Sequence, residues 1–204
     1  MTLAKTYYIL LLVAFQDPDP NHKIFVININ GQDEKFLTDG AAPNWSPDGR
    51  KIAFCKKPAN ANWHIYLMDT DGNNQVNITS DLNDTYPSWS PDGKQIVFSS
   101  QRAKFGFSNI YKMDSDGQNV VRLTQADNEQ HVSPIWSPDG QYIAFSNLQG
   151  INPGGVEVIK SDGSEPKIIS DGTDPSWFDS DFARKYAVNP LSKISTLWGW
   201  IKQK

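Results

Sequence analysis

The chain has 204 residues, 19 Lys and Arg against 23 Asp and Glu, a net charge of −4 and 38% hydrophobic residues. That length supports one domain or one repeat array with a sizeable core, and the composition excludes a disordered or multispanning chain. The mildly acidic balance argues against non-specific nucleic-acid binding, which needs a basic face. The single cysteine, Cys55, excludes an intrachain disulfide and a Cys-rich metal site.

The first segment, "MTLAKTYYILLLVAF", has Lys5 followed by an apolar run. It resembles a signal peptide and is too short to span a membrane. The "QDPDPNH" that follows offers no small-residue cleavage site. "VAF" at 13–15 also matches "IAF" at 52–54 and at 143–145, at the right distance before "KIFVININGQ". A buried strand is therefore the preferred reading of this segment.

From residue 41 onward four short segments recur. The first is x-Pro-x-Trp, as "APNW", "YPSW", "SPIW" and "DPSW". The second is "KIAFCK", "QIVFSS" and "YIAFSN"; the third is "HIYLMD", "NIYKMD" and "VEVIKS"; the fourth is "VNITS", "VVRLT" and "PKIIS". Each is rich in β-branched and aromatic residues and bounded by Gly, Pro, Asp or Asn, which is strand chemistry. Trp45, Trp89, Trp136 and Trp177 are spaced by 44, 47 and 41 residues. Periods of this size point to a propeller or a similar repeat array.

The turns explain the recurrence. In Ser-Pro-Asp-Gly, Pro presets φ for the second turn position, Asp suits the next, and Gly accepts positive φ. The pattern predicts a tight hairpin between first and second strands at Gly49, Gly93 and Gly140. "DTDGNN", "DSDGQN" and "KSDGSE" place Gly between third and fourth strands. Four antiparallel strands joined in this way form one propeller blade. The repeated Trp is expected to wedge between neighbouring blades.

The expected architecture is all-β: a β-propeller over residues 1–178 followed by a tail at 179–204. Residues 7–38 form a partial blade lacking its first strand. Residues 41–79, 85–124 and 131–170 are whole blades, and 173–178 supply one strand that closes the ring beside 7–15 as a four-bladed propeller. An open arc, either a truncated product or half of a two-chain ring, is the alternative. In the tail, Leu191, Ile194, Leu197, Trp198 and Ile201 fall near a helical stripe opened by Pro190.

The motif "P-x-W-S-P-D-G-x-x-I-A-F … I-Y-x-M-D-x-D-G-x-N … L-T" resembles the TolB-like propeller repeat, a relative of the WD-type repeat. The resemblance covers roughly residues 7–178 and implies the fold more than any one use, because such repeats are scaffolds. It implies a periplasmic or extracellular setting. TolB propellers usually have six blades and follow an α/β domain, and this sequence departs from both. Prolyl-oligopeptidase-type enzymes carry a similar propeller, but their hydrolase domain has no counterpart here.

No chemical motif stands out. The Asp-x-Asp-Gly turns lack the spacing and terminal Glu of an EF-hand. His22, His64 and His131 lie at no metal-ligand spacing and read as solvated loop residues. No Gly-x-Ser-x-Gly elbow, phosphate loop or dinucleotide fingerprint occurs. No catalytic residue, metal or cofactor is therefore assigned. The fourth-to-first loops carry Asp39, Asp81, Asp84, Asp127, Glu129, His131, Asp171 and Asp174, while the outer loops carry Lys56, Lys57, Arg102, Lys104, Trp63, Phe105 and Phe107. A propeller gathers the first set near one axis. The expected binding site is thus an acidic mouth at Asp81, Asp84, Asp127, Glu129, His131, Asp171 and Asp174, with a basic, aromatic margin. The expected function is non-catalytic binding of a protein or peptide. The competing readings are a propeller enzyme, a carbohydrate-binding module on the same face, or a fragment of a larger propeller protein.

Overall fold

The computed structural model describes residues 12–16, 22–59, 61–79, 83–104, 106–126, 128–149 and 152–177. The described residues contain strands and turns only, in four antiparallel sheets. The first sheet has three strands, β1 (Leu12–Gln16), β2 (Lys23–Asn28) and β3 (Lys35–Asp39). The second has β4 (Ala41–Trp45), β5 (Lys51–Lys56), β6 (His64–Asp69) and β7 (Val76–Asn77). The third has β8 (Asp84–Trp89), β9 (Gln95–Lys104), β10 (Phe107–Asp114) and β11 (Val121–Arg122). The fourth has β12 (Gln130–Trp136), β13 (Tyr142–Gln149), β14 (Asn152–Lys160) and β15 (Lys167–Asp171). Strand order follows chain order in every sheet, so each sheet is a meander, as a propeller blade requires. The segment 13–15 lies in β1, as the match to "IAF" predicts.

The Ser-Pro-Asp-Gly hairpins are nearly identical. Gly49, Gly93 and Gly140 have φ of 69°, 71° and 71°, and each donates its N–H to the Ser carbonyl three residues earlier at 2.9 Å. The Asp side chain accepts from the Ser hydroxyl at 2.6–2.7 Å and from the backbone N–H of Arg50, Lys94 or Gln141. The second strands β5, β9 and β13 are buried on both faces over Ile52–Cys55, Ile96–Ser100 and Ile143–Asn147. That is why they read as unbroken apolar runs: a blade is covered on both sides by its neighbours. The fourth strands β7, β11 and β15 are exposed.

The core lies between blades. Trp45 packs with Ile24 and Val26 of the first sheet and Ile52, Phe54 and Met68 of the second. Trp89 packs with Ala53 and Ile65 of the second and Ile96, Phe98 and Met113 of the third. Trp136 bridges Val97 and Ile110 to Ile143, Phe145 and Ile159. The repeated Trp is thus the wedge the spacing predicts.

The x-Pro pair before each Trp behaves differently from a plain strand. Ala42, Tyr86 and Ser133 take φ of 49–55°, and the strand register shifts at each. Pro has no N–H for the ladder, so the strand bulges there. The freed N–H of Ala42 reaches Gln16 Oε1 at 3.1 Å, and that of Tyr86 reaches Cys55 Sγ at 3.2 Å. Both acceptors follow the Phe of the preceding blade's second strand.

One expectation is corrected. Residues 173–177 form no strand, and among the described residues β1 pairs with β2 alone, so no closure of the ring is seen. The segment still has first-strand geometry. Asp174 has φ of 55°, its N–H reaches Ser146 Oγ at 2.8 Å, and Trp177 Nε1 points to the Ile135 carbonyl at 3.4 Å. It docks on the fourth sheet as β8 docks on the second, and nothing in the described chain lies beside it as a second strand. Residues 7–11, 178 and the tail at 179–204 lie outside the described residues.

Candidate functional site

In a meander blade the second-to-third and fourth-to-first connections emerge at one end, and three groupings of polar side chains sit there. Each involves the position after or beyond the Phe of a second strand. Phe54, Phe98 and Phe145 face Tyr66, Tyr111 and Glu157 across the β5–β6, β9–β10 and β13–β14 pairs.

The first grouping is a cleft of about 540 Å³ between the first two sheets, lined by His22, Asp39, Lys56, Lys57 and Trp63. His22 meets the Trp63 ring edge-on at 5.5 Å and Gln16 Nε2 at 2.7 Å. Lys56 Nζ donates to Gln75 Oε1 at 3.0 Å and Thr38 Oγ1 at 3.3 Å, and lies 5.9 Å from the Tyr66 ring centre. Lys57 and Asp39 are exposed.

The second grouping is in the third sheet. Asp84 is fully buried and Arg102 Nη2 donates to its Oδ2 at 2.8 Å. The Arg102 guanidinium also covers the Phe98 and Tyr111 rings at 5.1 and 5.0 Å. Stacking and ion pairing together hold its planar head in one place.

The third grouping is in the fourth sheet. His131 Nε2 lies 3.3 Å from Glu129 Oε2. Asn147 Nδ2 reaches Glu129 Oε2 at 2.7 Å and Glu157 Oε1 at 2.5 Å. Burial lowers the His131 pKa, and the carboxylates of Glu157 and Glu129 oppose that shift without cancelling it. His131 is therefore held neutral at ordinary pH.

The predicted mouth is only partly assembled. The structure brings Glu129 and His131 together. Asp84 turns inward to Arg102 instead of facing solvent. Asp171 ends the outermost strand β15, opposite Gly155, and Asp174 is exposed beside Thr173. Asp81, Asp127 and Phe105 lie outside the described residues. The reading of the histidines as solvated needs correction: His64 and His131 are 7% and 6% exposed, because both begin or enter strands packed against a neighbouring blade, the third sheet in each case. Asn147 and Glu157 were missed, although Glu157 stands where two earlier repeats carry Tyr66 and Tyr111. That break in the repeat was the available signal.

Cys55 is buried and accepts from the Tyr86 N–H, and burial pushes its thiol up to about 12. It stays protonated and is no nucleophile. Among the described residues no helix is long and apolar enough to cross a membrane.

Residues 10–178 match the model of the TolB beta propeller domain. No curated protein sequence matches the chain. Among solved structures it is similar to a protein assigned as TolB from Agrobacterium tumefaciens, with 25% identity and a TM-score of 0.69, covering 77% of this chain and 60% of that one. TolB from Acinetobacter baumannii is 20% identical with a TM-score of 0.50, covering 78% and 53%. An oligogalacturonate lyase from Vibrio parahaemolyticus is 18% identical with a TM-score of 0.56, covering 79% and 50%. The chain thus spans 50–60% of the length of these neighbours.

Proposed function

The chain belongs to the TolB β-propeller domain family, and from that premise we propose that it is a non-catalytic module binding a protein or peptide partner in the bacterial envelope or outside the cell. The observation that carries the reading is the cleft between the first two sheets. It sets an indole, an imidazole, two ammonium groups and a carboxylate around about 540 Å³ of open space. Aromatic and cationic groups at the centre of a patch are the residue types that anchor protein interfaces. The lone thiol is chemically inert, which favours binding over thiol catalysis.

Affinity capture from an envelope extract tests this, using the full chain and its Trp63→Ala and Lys57→Glu variants. The retained protein is then purified and its affinity for each form measured at low and high salt. Binding should weaken in both variants, and its salt dependence should shrink in Lys57→Glu. Unchanged affinity in both variants, each melting like the parent chain, would remove the cleft as the binding surface.

A further inference from the structure

We infer that Glu129, His131 and Glu157 form a binding site for one divalent first-row transition cation, with Asn147 as an additional oxygen donor. One ligand atom from each of the three residues lies within 4.8 Å of the others. Donors held about 2.1 Å from one ion stand up to about 4.2 Å apart. In a tetrahedral shell they stand about 3.4 Å apart, so closing the set needs each ligand atom to shift by about 1 Å or less, within reach of side-chain torsions. The donor chemistry is two carboxylates, one imidazole and one amide, with no thiolate. Imidazole combined with carboxylate suits zinc, manganese, cobalt or nickel, whereas calcium prefers an all-oxygen shell.

Asn147 supplies an observation independent of the cluster. It is 3% exposed, and its Oδ1 is buried with no hydrogen-bond partner while its Nδ2 sits between the two carboxylates. A buried amide oxygen without a partner is costly. Turning the amide about its last bond points Oδ1 at Glu129 and Glu157. That arrangement is repulsive unless a cation lies between them. His131 likewise carries a buried Nδ1 with no partner. Within the fold its ring is thus bonded through Nε2, which already faces Glu129 Oε2 at 3.3 Å.

The repeat itself points the same way. In the second sheet Lys56 lies over Tyr66, and in the third Arg102 lies over Tyr111 and pairs with Asp84. The fourth sheet puts Glu157 in the Tyr position and Asn147 in the Lys56 position. A carboxylate has been added where the sibling blades carry a protein cation over an aromatic ring. The neighbouring Arg122 acts on His131 from the third sheet, but its Nε and Nη2 are committed to Thr124 O and Asn109 Oδ1 at 2.6 and 3.2 Å. The Glu129 side chain is 34% exposed, which leaves the ion a route from the loop end. The inference does not depend on the partner reading, since the cleft lies between other sheets.

The test is titration of the chelator-stripped full chain with Co²⁺, followed by visible absorption, and with Zn²⁺, followed by calorimetry. One ion per chain should bind, with imidazole-coordinated cobalt bands and a raised melting temperature. Glu157→Tyr, which restores the residue of the sibling blades, and His131→Gln should each weaken binding by about tenfold or more. His22→Gln should bind as the parent chain does. Glu157→Gln serves if the tyrosine variant does not fold. The inference is overturned if the folded chain binds none of Co²⁺, Zn²⁺ or Mn²⁺ at millimolar concentration, or if binding survives unchanged in Glu157→Gln and His131→Gln.

Discussion

Asp84 Oδ2 and Arg102 Nη2 lie 2.8 Å apart, with the carboxylate fully buried and the Arg102 side chain 25% exposed. A charge that deep is tolerable only while its partner stays. Replacing Arg102 by Met keeps much of the apolar stem over Phe98 and Tyr111 but strands the carboxylate. The expected loss is about 3–5 kcal/mol of unfolding free energy. Adding Asp84→Asn to that variant should recover a large part of it, because the stranded group is then neutral. Urea unfolding of the single and double variants measures both. A loss below about 1 kcal/mol for Arg102→Met would place the pair with ordinary surface ion pairs.

Gly117 makes a different demand. Its φ is 89°, and a Cβ built there would fall inside van der Waals distance of the Ile78 carbonyl oxygen on the preceding blade. Gly72 and Gly163 repeat the approach, with Leu37 O at 3.1 Å and Leu123 O at 3.0 Å from the added carbon. Gly117→Ala should therefore cost more than the roughly 1 kcal/mol of a left-handed alanine alone, because backbone must also move apart. Gly49→Ala has no atom within 4 Å of its added carbon and should show only the conformational part. Comparing the two melting curves separates strain from steric contact.

These glycines show what was legible and what was not. The Ser-Pro-Asp-Gly and Asp-x-Asp-Gly turns were readable, because turn chemistry is local. That Gly72, Gly117 and Gly163 also press against the previous blade was not, because the contact partner lies in the preceding repeat. The bulges at Ala42, Tyr86 and Ser133 were hidden for a related reason. Proline signals a break in pairing, but only the Gln16 and Cys55 acceptors across the blade gap say where the freed N–H goes. The acidic mouth failed at Asp84 because a loop position was assumed to mean exposure. Glu129 and His131 do meet, but their neighbours Asn147 and Glu157 come from central strands, where side chains are normally assigned to the core.

The turn aspartates make stability depend on pH. Asp48, Asp92 and Asp139 have pKa values below the ordinary 3.8, first because the Ser46, Ser90 and Ser137 hydroxyls donate to them and then because backbone N–H groups do. A carboxyl with a depressed folded pKa stabilises the fold above its unfolded pKa and loses that contribution as pH falls through the folded value. Thermal stability should therefore begin to fall near about pH 4 and keep falling at lower pH. The triple variant Asp48→Asn, Asp92→Asn, Asp139→Asn should be less stable at pH 7 and show a shallower decline on acidification. Equal slopes for the two proteins would mean the decline comes from other carboxylates.

The four repeated tryptophans are not equivalent, and the difference predicts a ranking. Trp89 is 9% exposed among Ile65 and Ala53 on one side and Ile96, Phe98 and Met113 on the other. Its backbone N–H is also held by Asn44 Oδ1 at 3.0 Å. Trp89→Ala opens a cavity between two blades that the sheets can close only by sliding together, so the expected cost is about 3–5 kcal/mol. Trp177 is 37% exposed and its ring leans on the end of the fourth sheet, with no strand beside it among the described residues. Trp177→Ala should cost less than half as much. Trp89→Phe adds a second discrimination. The Trp89 Nε1 is buried with no hydrogen-bond partner, so replacing the indole by a phenyl ring removes an unsatisfied donor along with some volume. Loss of that donor offsets part of the lost packing, and Trp89→Phe should lie much nearer the parent chain than Trp89→Ala. Chemical denaturation of the three variants orders them. If Trp177→Ala destabilises as much as Trp89→Ala, residue 177 is buried in solution by a strand that completes its blade, and the ring is closed there after all.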